Sequence, residues 1–287
     1  MKELEKNIIA LSPDKGKQWL SNLSELIAQI AMQHGLTHLK PVKNLSYNYV
    51  LSGFQNSQPI ILKLGLDIDG LKREAFALKS VAGFGVVNVL MENDGMLLLE
   101  RAVPGVSLKS YFSEKDIDAV HITCDCLKRL HQAPIPRDHG LPQIKDWLLV
   151  LDQDFNIPIH YLLKARQLRD KLLATSSPHV LLHGDLHHDN ITQNGNDWIV
   201  IDPKGVIGEP AYEVAAFVRN PIPQLLAHHD ALGIINRRIT QFAETLKIPA
   251  DRIVDWCYVQ AVLAWIWALE DGCDETYFKK LTEILYV

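Results

Sequence analysis

The chain of 287 residues carries 47% hydrophobic and 22% charged side chains and a formal net charge of -5. That composition is normal for a soluble globular protein, and the length suits one two-lobed unit or two small ones with ample core. The small acidic excess leaves no basic footprint, so nucleic acid is excluded as a partner at this level of reading.

Four cysteines occur, at Cys124, Cys126, Cys257 and Cys273. Cys124 and Cys126 stand two apart on a predicted helix, where side chains diverge, so neither disulfide nor zinc spacing is met. The N-terminus, M-K-E-L-E-K-N, lacks the apolar stretch of a secretory signal. No run approaches the roughly 20 apolar residues that span a bilayer. A cytoplasmic protein without a membrane partner is expected. No internal repeat or flexible linker interrupts the chain.

Taken in order, Trp19, Leu20, Leu23, Leu26, Ile27, Ile30 and Ala31 recur at helical spacing between Lys17 and His34, with Gly35 as the stop. From Pro41 the pattern turns to strands. Alternation in Tyr47–Leu51, a turn at Gln55–Gln58 and the apolar run before Lys63 predict an antiparallel hairpin. Gly70–Val81 reads as an amphipathic helix carrying Leu71, Ala75, Phe76 and Leu78, with Glu74 eleven residues after Lys63. Val86–Met91 and Met96–Arg101 flank an Asn-Asp-Gly turn and predict a second hairpin. Pro104 and Gly105 break its last strand ahead of a helix.

The remainder reads as mostly helical. Asp116–His131 presents Ile117, Val120, Cys124, Leu127 and Leu130 as a core stripe, and Ile159–Ala174 is a further helix. Val180–Leu182 and Trp198–Ile201 are short apolar runs read as strands. A helix follows at Ala211–Arg219, where Glu213 is placed to tie it to the loop before it. The aromatics of Val254–Asp271, among them Trp256, Tyr258 and Trp265, read as core.

Between the two short strands lies H-G-D-L-H-H-D-N at His183–Asn190, and twelve residues after Asn190 comes I-D-P-K-G with Asp202 closing an apolar run. Two strands and a loop would gather Asp185, Asn190 and Asp202 at one mouth. These are the parts that a magnesium-dependent phosphoryl transferase needs: one carboxylate to accept a hydroxyl proton, and two hard oxygen donors for a cation on the nucleotide phosphates. Two other readings stay open for these residues. Asp and Asn in turns often bond only their own backbone, and His183, His187, His188 and Asp189 are ordinary zinc-ligand types. Against zinc, they lie on a loop with no paired Cys and no helical H-E-x-x-H frame.

Eukaryotic protein kinases read H-R-D and D-F-G where this chain reads H-G-D and D-P-K-G. The pattern resembles the aminoglycoside phosphotransferase and kinase-like superfamily. More narrowly, H-G-D-L-H-H-x-N with I-D-P-K-G-x-x-G-[DE]-P-A-Y is similar to the aminoglycoside/hydroxyurea antibiotic-resistance kinases, over roughly Lys43 to Asp271. The resemblance implies an α+β, bilobal protein-kinase-like fold. A small antiparallel sheet lobe, residues 1–100, would bind nucleotide, and a mostly helical lobe, residues 101–287, would hold the catalytic loop, metal and acceptor. It implies ATP and Mg²⁺ as cofactors, Asp185 as catalytic base, Asn190 and Asp202 as metal ligands and His183 as a structural residue.

In that reading the Asn44–Asn48 loop covers the phosphates with Ser46 and Asn48 as polar contacts, although it lacks G-x-G-x-x-G. Lys63 reaches the α- and β-phosphates. Glu74 is its preferred partner over Asp67 and Asp69, because a helix fixes a side chain better than a loop. Backbone groups of Glu100 and Ala102 at the hinge would meet the adenine edge. Lys204 stands beside the metal aspartate, within reach of phosphate or simply solvated. Streptomycin-type acceptors are cationic and need carboxylates, for which Glu270 and Asp271 are the candidates, with Trp267 as a wall. The expected activity is transfer of the γ-phosphoryl to a hydroxyl of a small, cationic molecule. A metabolic acceptor on the same fold, or a nucleotide-binding pseudokinase, are the alternatives.

Overall fold

The computed structural model describes residues 2–286 apart from Asn44, Asp138, His139 and Ser177; Asn44, the first residue of the loop expected over the phosphates, thus lies outside the described residues. The first half of the chain forms α1 (Lys2–Leu11), α2 (Pro13–His34), β1 (Leu36–Pro41), β2 (Tyr49–Gln55), β3 (Gln58–Leu64), α3 (Ile68–Ser80), β4 (Val89–Asn93) and β5 (Met96–Glu100). It continues as β6 (Pro104–Ser107), α4 (Asp116–Leu130), α5 (Ile144–Trp147), α6 (Ile159–Ala174), β7 (Val180–Leu182), β8 (Ile191–Asn194), β9 (Asp197–Val200) and β10 (Val206–Gly208). Helices α7 (Pro210–Val218), α8 (Gln224–Ala227), α9 (Ala231–Leu246), α10 (Ala250–Glu270) and α11 (Thr276–Ile284) complete it.

The five strands β1–β5 make one antiparallel sheet in the order β1-β2-β3-β5-β4. Period-two alternation decides what each face meets. Ile60, Leu62 and Leu64 of β3 turn with Leu51, Met96 and Leu98 toward Leu23 and Ile30 of α2. The opposite face carries Leu97 and Leu99 against Leu71, Ala75 and Leu78 of α3. Lys63 lies directly across from Leu97 and therefore faces α3, not α2. Gly35 ends α2 in the left-handed region, at φ 65°, and its N–H donates to Ala31 O.

Two elements differ from expectation. The segment Lys2–Leu11, read only as a charged N-terminus, is a helix whose Leu4 and Ile8 are fully buried with Leu45. Its apolar stripe of Leu4, Ile8 and Leu11 spans only about two helical turns beside lysines and glutamates, too short to stand out. Gly16 of α2 lets the two helices touch, because an added Cβ would come within 2.6 Å of Ile8 O. Pro104 and Gly105 do not hand over to a helix directly. They open β6, which pairs with β8 at the edge of the three-stranded sheet β6-β8-β9, a position where proline's missing N–H costs nothing.

The second half packs helices around α10, whose Trp256, Tyr258 and Trp265 are core residues. By length and composition α10 could cross a membrane, but most of it is buried against α6, α7, α9 and α11. A second fixed point is Arg238 of α9, whose side chain has no solvent exposure. Its guanidinium takes Asp116 of α4 in two hydrogen bonds of 2.9 and 2.6 Å. It also donates to the carbonyls of Phe217, Val218 and Asn220 at the end of α7. The same group lies 3.3 Å from His188 Nε2, and His188 stacks on Phe217 at 3.9 Å. Removing it strands a carboxylate and several carbonyls at once. Arg238→Leu is therefore expected to lower unfolding free energy by about 3 kcal/mol, read from urea denaturation.

Candidate active site

The site is assembled on short strands that the helices hold. β7 delivers His183, and β10 pairs with it so that Val206 faces Leu182. The N–H groups of Lys204 and Gly205 both donate to His183 O, at 2.8 and 3.2 Å. Glu213, buried in the first turn of α7, accepts from His183 N at 2.6 Å and Gly184 N at 2.9 Å. One carboxylate thus clamps two consecutive amides, as its position in the sequence suggests. Gly184 stands at φ 87°, and a Cβ there would meet Trp147 at 2.8 Å, so H-G-D admits no side chain in the middle.

His183 is a structural residue. Its Nδ1 accepts from Asp185 N at 3.1 Å, which leaves the proton on Nε2 to donate to Ile201 O at 2.8 Å. Burial lowers its pKa, against the raising influence of Glu213, and keeps the ring neutral. Asn190 closes a short 3₁₀ turn and donates through Nδ2 to Asp185 O at 2.9 Å. With the amide nitrogen so engaged, Oδ1 is the atom left to accept. Ile201 N donates to Asn190 O at 3.0 Å, continuing the β8–β9 ladder in which Ile191 faces Val200. Asn190 and Asp202 therefore stand side by side at one end of that hairpin. Strand β8 was not read from the sequence, yet it sets this juxtaposition.

Asp202 adopts φ 61°, unusual for a residue with a Cβ, at a turn that carries its carboxylate to Lys63. Lys63 Nζ bonds Asp202 Oδ1 at 2.9 Å and Glu74 Oε1 at 2.6 Å. Glu74 is thus the partner, while Asp67 caps α3 by accepting from Gly70 N at 2.8 Å. Burial alone would lower the Lys63 pKa, but Asp202 and Glu74 outweigh it and hold the ammonium charged. Burial would likewise raise the Asp202 pKa, and Lys63 and Lys204 hold it below the ordinary carboxylate range. Glu74 is shifted up, because its burial outweighs the lysine.

Asp185 has two basic neighbours that the motif does not announce. Arg219, just past α7, approaches Oδ1 at 3.3 Å, and His187 Nε2 lies 3.7 Å from Oδ2. Arg219 is braced by Gln260 Oε1 at 2.5 Å, and Gln260 by Tyr212 O at 2.5 Å. Burial would raise the Asp185 pKa, but His187, Arg219 and Lys204 bring it to about 2.

Asp185, His187, Asp202, Glu74 and Arg219 open on a cavity of about 840 Å³, while Lys63 and Asn190 are not among its lining residues. Asp185, Asp202, Glu74 and Lys204 line it together with Trp147, Trp267, Asp271 and Asp274. Leu11, Tyr47 and Asn48 approach from the sheet side. Trp267 meets Trp147 edge to face at 6.0 Å. Glu270 is exposed and takes no part in the lining. The reason is helical phase: at 100° per residue it sits roughly 110° round from the stripe Ala264, Trp267, Ala268 and Asp271. Asp274, in the following loop, lies where Glu270 was expected. Ser46 is exposed outside the lining, its carbonyl accepting from Asn7 Nδ2 at 3.2 Å. Glu100 and Ala102 do not line this cavity, and Glu100 N already donates to Asn88 O at 2.9 Å, so a nucleotide contact there is left to its carbonyl.

Residues 37–272 match the sequence model of the aminoglycoside/hydroxyurea antibiotic resistance kinases. The chain belongs to that family. It is 29% identical over 196 residues to a streptomycin 3''-kinase of Klebsiella pneumoniae, covering 66% of this chain and 73% of that protein. Over 272 residues it is 23% identical to a streptomycin 6-kinase of Streptomyces griseus, covering 90% and 87%. Among solved structures, an aminoglycoside phosphotransferase in complex with ADP and hygromycin B superposes with a TM-score of 0.69 at 14% identity, covering 90% of this chain and 97% of the other. A choline kinase from Streptococcus pneumoniae gives 0.69 at 14%, covering 92% and 99%. The fold is the protein-kinase-like one, and this family member is a phosphotransferase.

The pairing at Asp185 has a direct test. The Asp185 carboxyl resonance, assigned by its loss in Asp185→Asn, should titrate with a midpoint near 2. A lowered pKa means that protonation enters only as pH falls through that value. Arg219→Gln removes a positive neighbour and should move the midpoint up by about one unit; an unmoved midpoint would remove the arginine from the electrostatics of the site.

Proposed function

We propose that this family member uses ATP with Mg²⁺ to phosphorylate a hydroxyl of a small cationic molecule of the streptomycin type. The observation that carries the reading is one cavity lined both by Asp185 and by the acidic, aromatic group Trp267, Asp271 and Asp274. A guanidinium or ammonium group fits that rim through charge-assisted hydrogen bonds. The relatives named above act, by their names, on streptomycin.

Asn190 Oδ1 and the Asp202 carboxylate are hard oxygen donors set next to each other, which suits Mg²⁺. When bound, the cation supplies charge neutralisation at the nucleotide phosphates. Lys63, kept charged and fixed by Glu74, holds the triphosphate. Asn48 lies against Gly65, where an added Cβ would come 2.1 Å from Asn48 Oδ1, so the loop stays close to the end of β3 and hence to Lys63. Lys204 faces the same space as a further phosphate contact. Glu100 and Ala102 remain candidates for the adenine edge.

Asp185 orients the acceptor hydroxyl. A carboxylate whose pKa is about 2 is too weak to ionise an alcohol beforehand. It takes the proton as the new P–O bond forms, which suits a loose transition state governed by alignment. In this reading residues 1–100 bind nucleotide and residues 101–287 carry chemistry and acceptor. A cytoplasmic setting, where ATP is supplied, accords with it.

Purified protein incubated with ATP, Mg²⁺ and streptomycin should add one phosphoryl group to the antibiotic, detected by mass spectrometry. Choline and other metabolic alcohols serve as competing acceptors. Asp185→Asn should lower kcat by on the order of 10²–10⁴. Asp202→Ala should abolish metal-dependent turnover while the circular dichroism spectrum stays native. Full activity in either variant would sink the mechanism, and phosphorylation of choline but not streptomycin would reassign the acceptor.

A further inference from the structure

One contact in the cavity belongs to neither half of the reading above. Tyr47 Oη donates to Asp271 Oδ2 at 3.3 Å, joining residues 224 positions apart. Tyr47 sits on the loop between β1 and β2, next to Asn48, whose amide packs on Gly65 beyond β3. Asp271 caps the far end of α10, on the acceptor rim. The loop assigned to the nucleotide therefore reaches across the cavity and touches a carboxylate assigned to the acceptor.

The loop is held from behind. Leu45 is buried with Leu4 and Ile8 of α1, and Ser46 O accepts from Asn7 Nδ2. Leu11, at the end of α1, itself lines the cavity. Helix α1 precedes residues 37–272, so this buttress lies outside the stretch that the family's sequence model matches. Tyr47 is nonetheless 42% exposed. Its position over the cavity is set by the loop's anchors and by the hydroxyl bond, not by burial.

From these observations we infer that Tyr47 is an acceptor-specificity residue delivered from the nucleotide side. It orients the Asp271 carboxylate by occupying Oδ2, which leaves Oδ1 for a cationic acceptor, and its ring lines the same cavity as Trp267. Nucleotide and acceptor are thereby coupled. Whatever fixes the loop around Asn48 also fixes Tyr47 on Asp271, so ATP binding strengthens acceptor binding, and the acceptor strengthens ATP binding by the same factor. This inference rests on the acceptor reading proposed above.

Calorimetry on the full chain tests it, with streptomycin as acceptor and AMP-PNP with Mg²⁺ as the nucleotide. Wild-type affinity for streptomycin should rise about 5-fold or more when AMP-PNP is present. In Tyr47→Phe that gain should fall within about 2-fold of none, with AMP-PNP affinity alone unchanged. Asp271→Asn should weaken streptomycin binding, and adding Tyr47→Phe to it should cost nothing further, the non-additivity of a contacting pair. A residue that only supported the fold would change affinity without abolishing the gain. Streptomycin that binds the wild type without a gain, or a gain that survives in Tyr47→Phe, overturns the inference and leaves the acceptor assignment standing. Streptomycin that fails to bind the wild type at all overturns both.

Discussion

A single ammonium group, Lys63 Nζ, lies between two carboxylates that reach it from different parts of the chain. Glu74 comes from α3 and Asp202 from the turn after β9, while the lysine itself stands on β3. Burying the Lys63 ammonium without partners would be costly, and so would burying the Glu74 carboxylate alone. The three charges stabilise one another in a cleft where water screens little. Because Lys63 belongs to the five-stranded sheet and Asp202 to the helical half, the same bonds set the relation of the sheet to the catalytic loop. The placement of Asp185 and Asn190 relative to the lysine follows from it.

The catalytic loop obeys a related rule: several of its backbone groups are answered by side chains held in place around it. Glu213 takes two amides, His183 takes one amide and gives to one carbonyl, and Asn190 gives to the carbonyl of Asp185. Arg238 gathers the carbonyls beyond α7 and meets His188 from behind. A loop so bonded has few ways to relax, and this preorganisation is what an alignment-driven reaction needs. The side chains left to face the cavity are those with chemistry to perform.

Much of this was legible in the sequence, and the reasons differ by residue. Asp185, Asn190 and Asp202 announce themselves through spacing, because a loop and a hairpin of fixed length must bring them together. Glu74 could be chosen over Asp67 and Asp69 because a helix and a strand leave few geometries. Arg219 and Tyr47 were not singled out, and His187 was weighed only as a zinc-ligand type, not as a neighbour of Asp185. Their roles depend on how α7 ends, on which imidazole nitrogen is capped by Asp189 N, and on a loop crossing the cavity. None of these leaves a periodic signature. Glu270 was expected on the rim and points elsewhere, since an acidic helix end shows composition but not rotation. The strand β8 was hidden because I-T-Q-N is short and half polar, and pairing with β6 and β9 creates it.

The cavity draws its two kinds of residue from different stretches of the chain. Asp185 and Asp202 fall within eighteen consecutive positions in the middle, whereas Leu11, Tyr47, Trp267, Asp271 and Phe278 come from its two extremities. In the proposed reading, the reacting carboxylates and most acceptor contacts thus come from separate stretches, with Trp147 the exception. Exchange of terminal segments between relatives would retune which molecule is gripped while the reacting groups stay intact. Conversely, a gene fragment preserving the central motifs would still look like a kinase after losing the means to choose what it modifies.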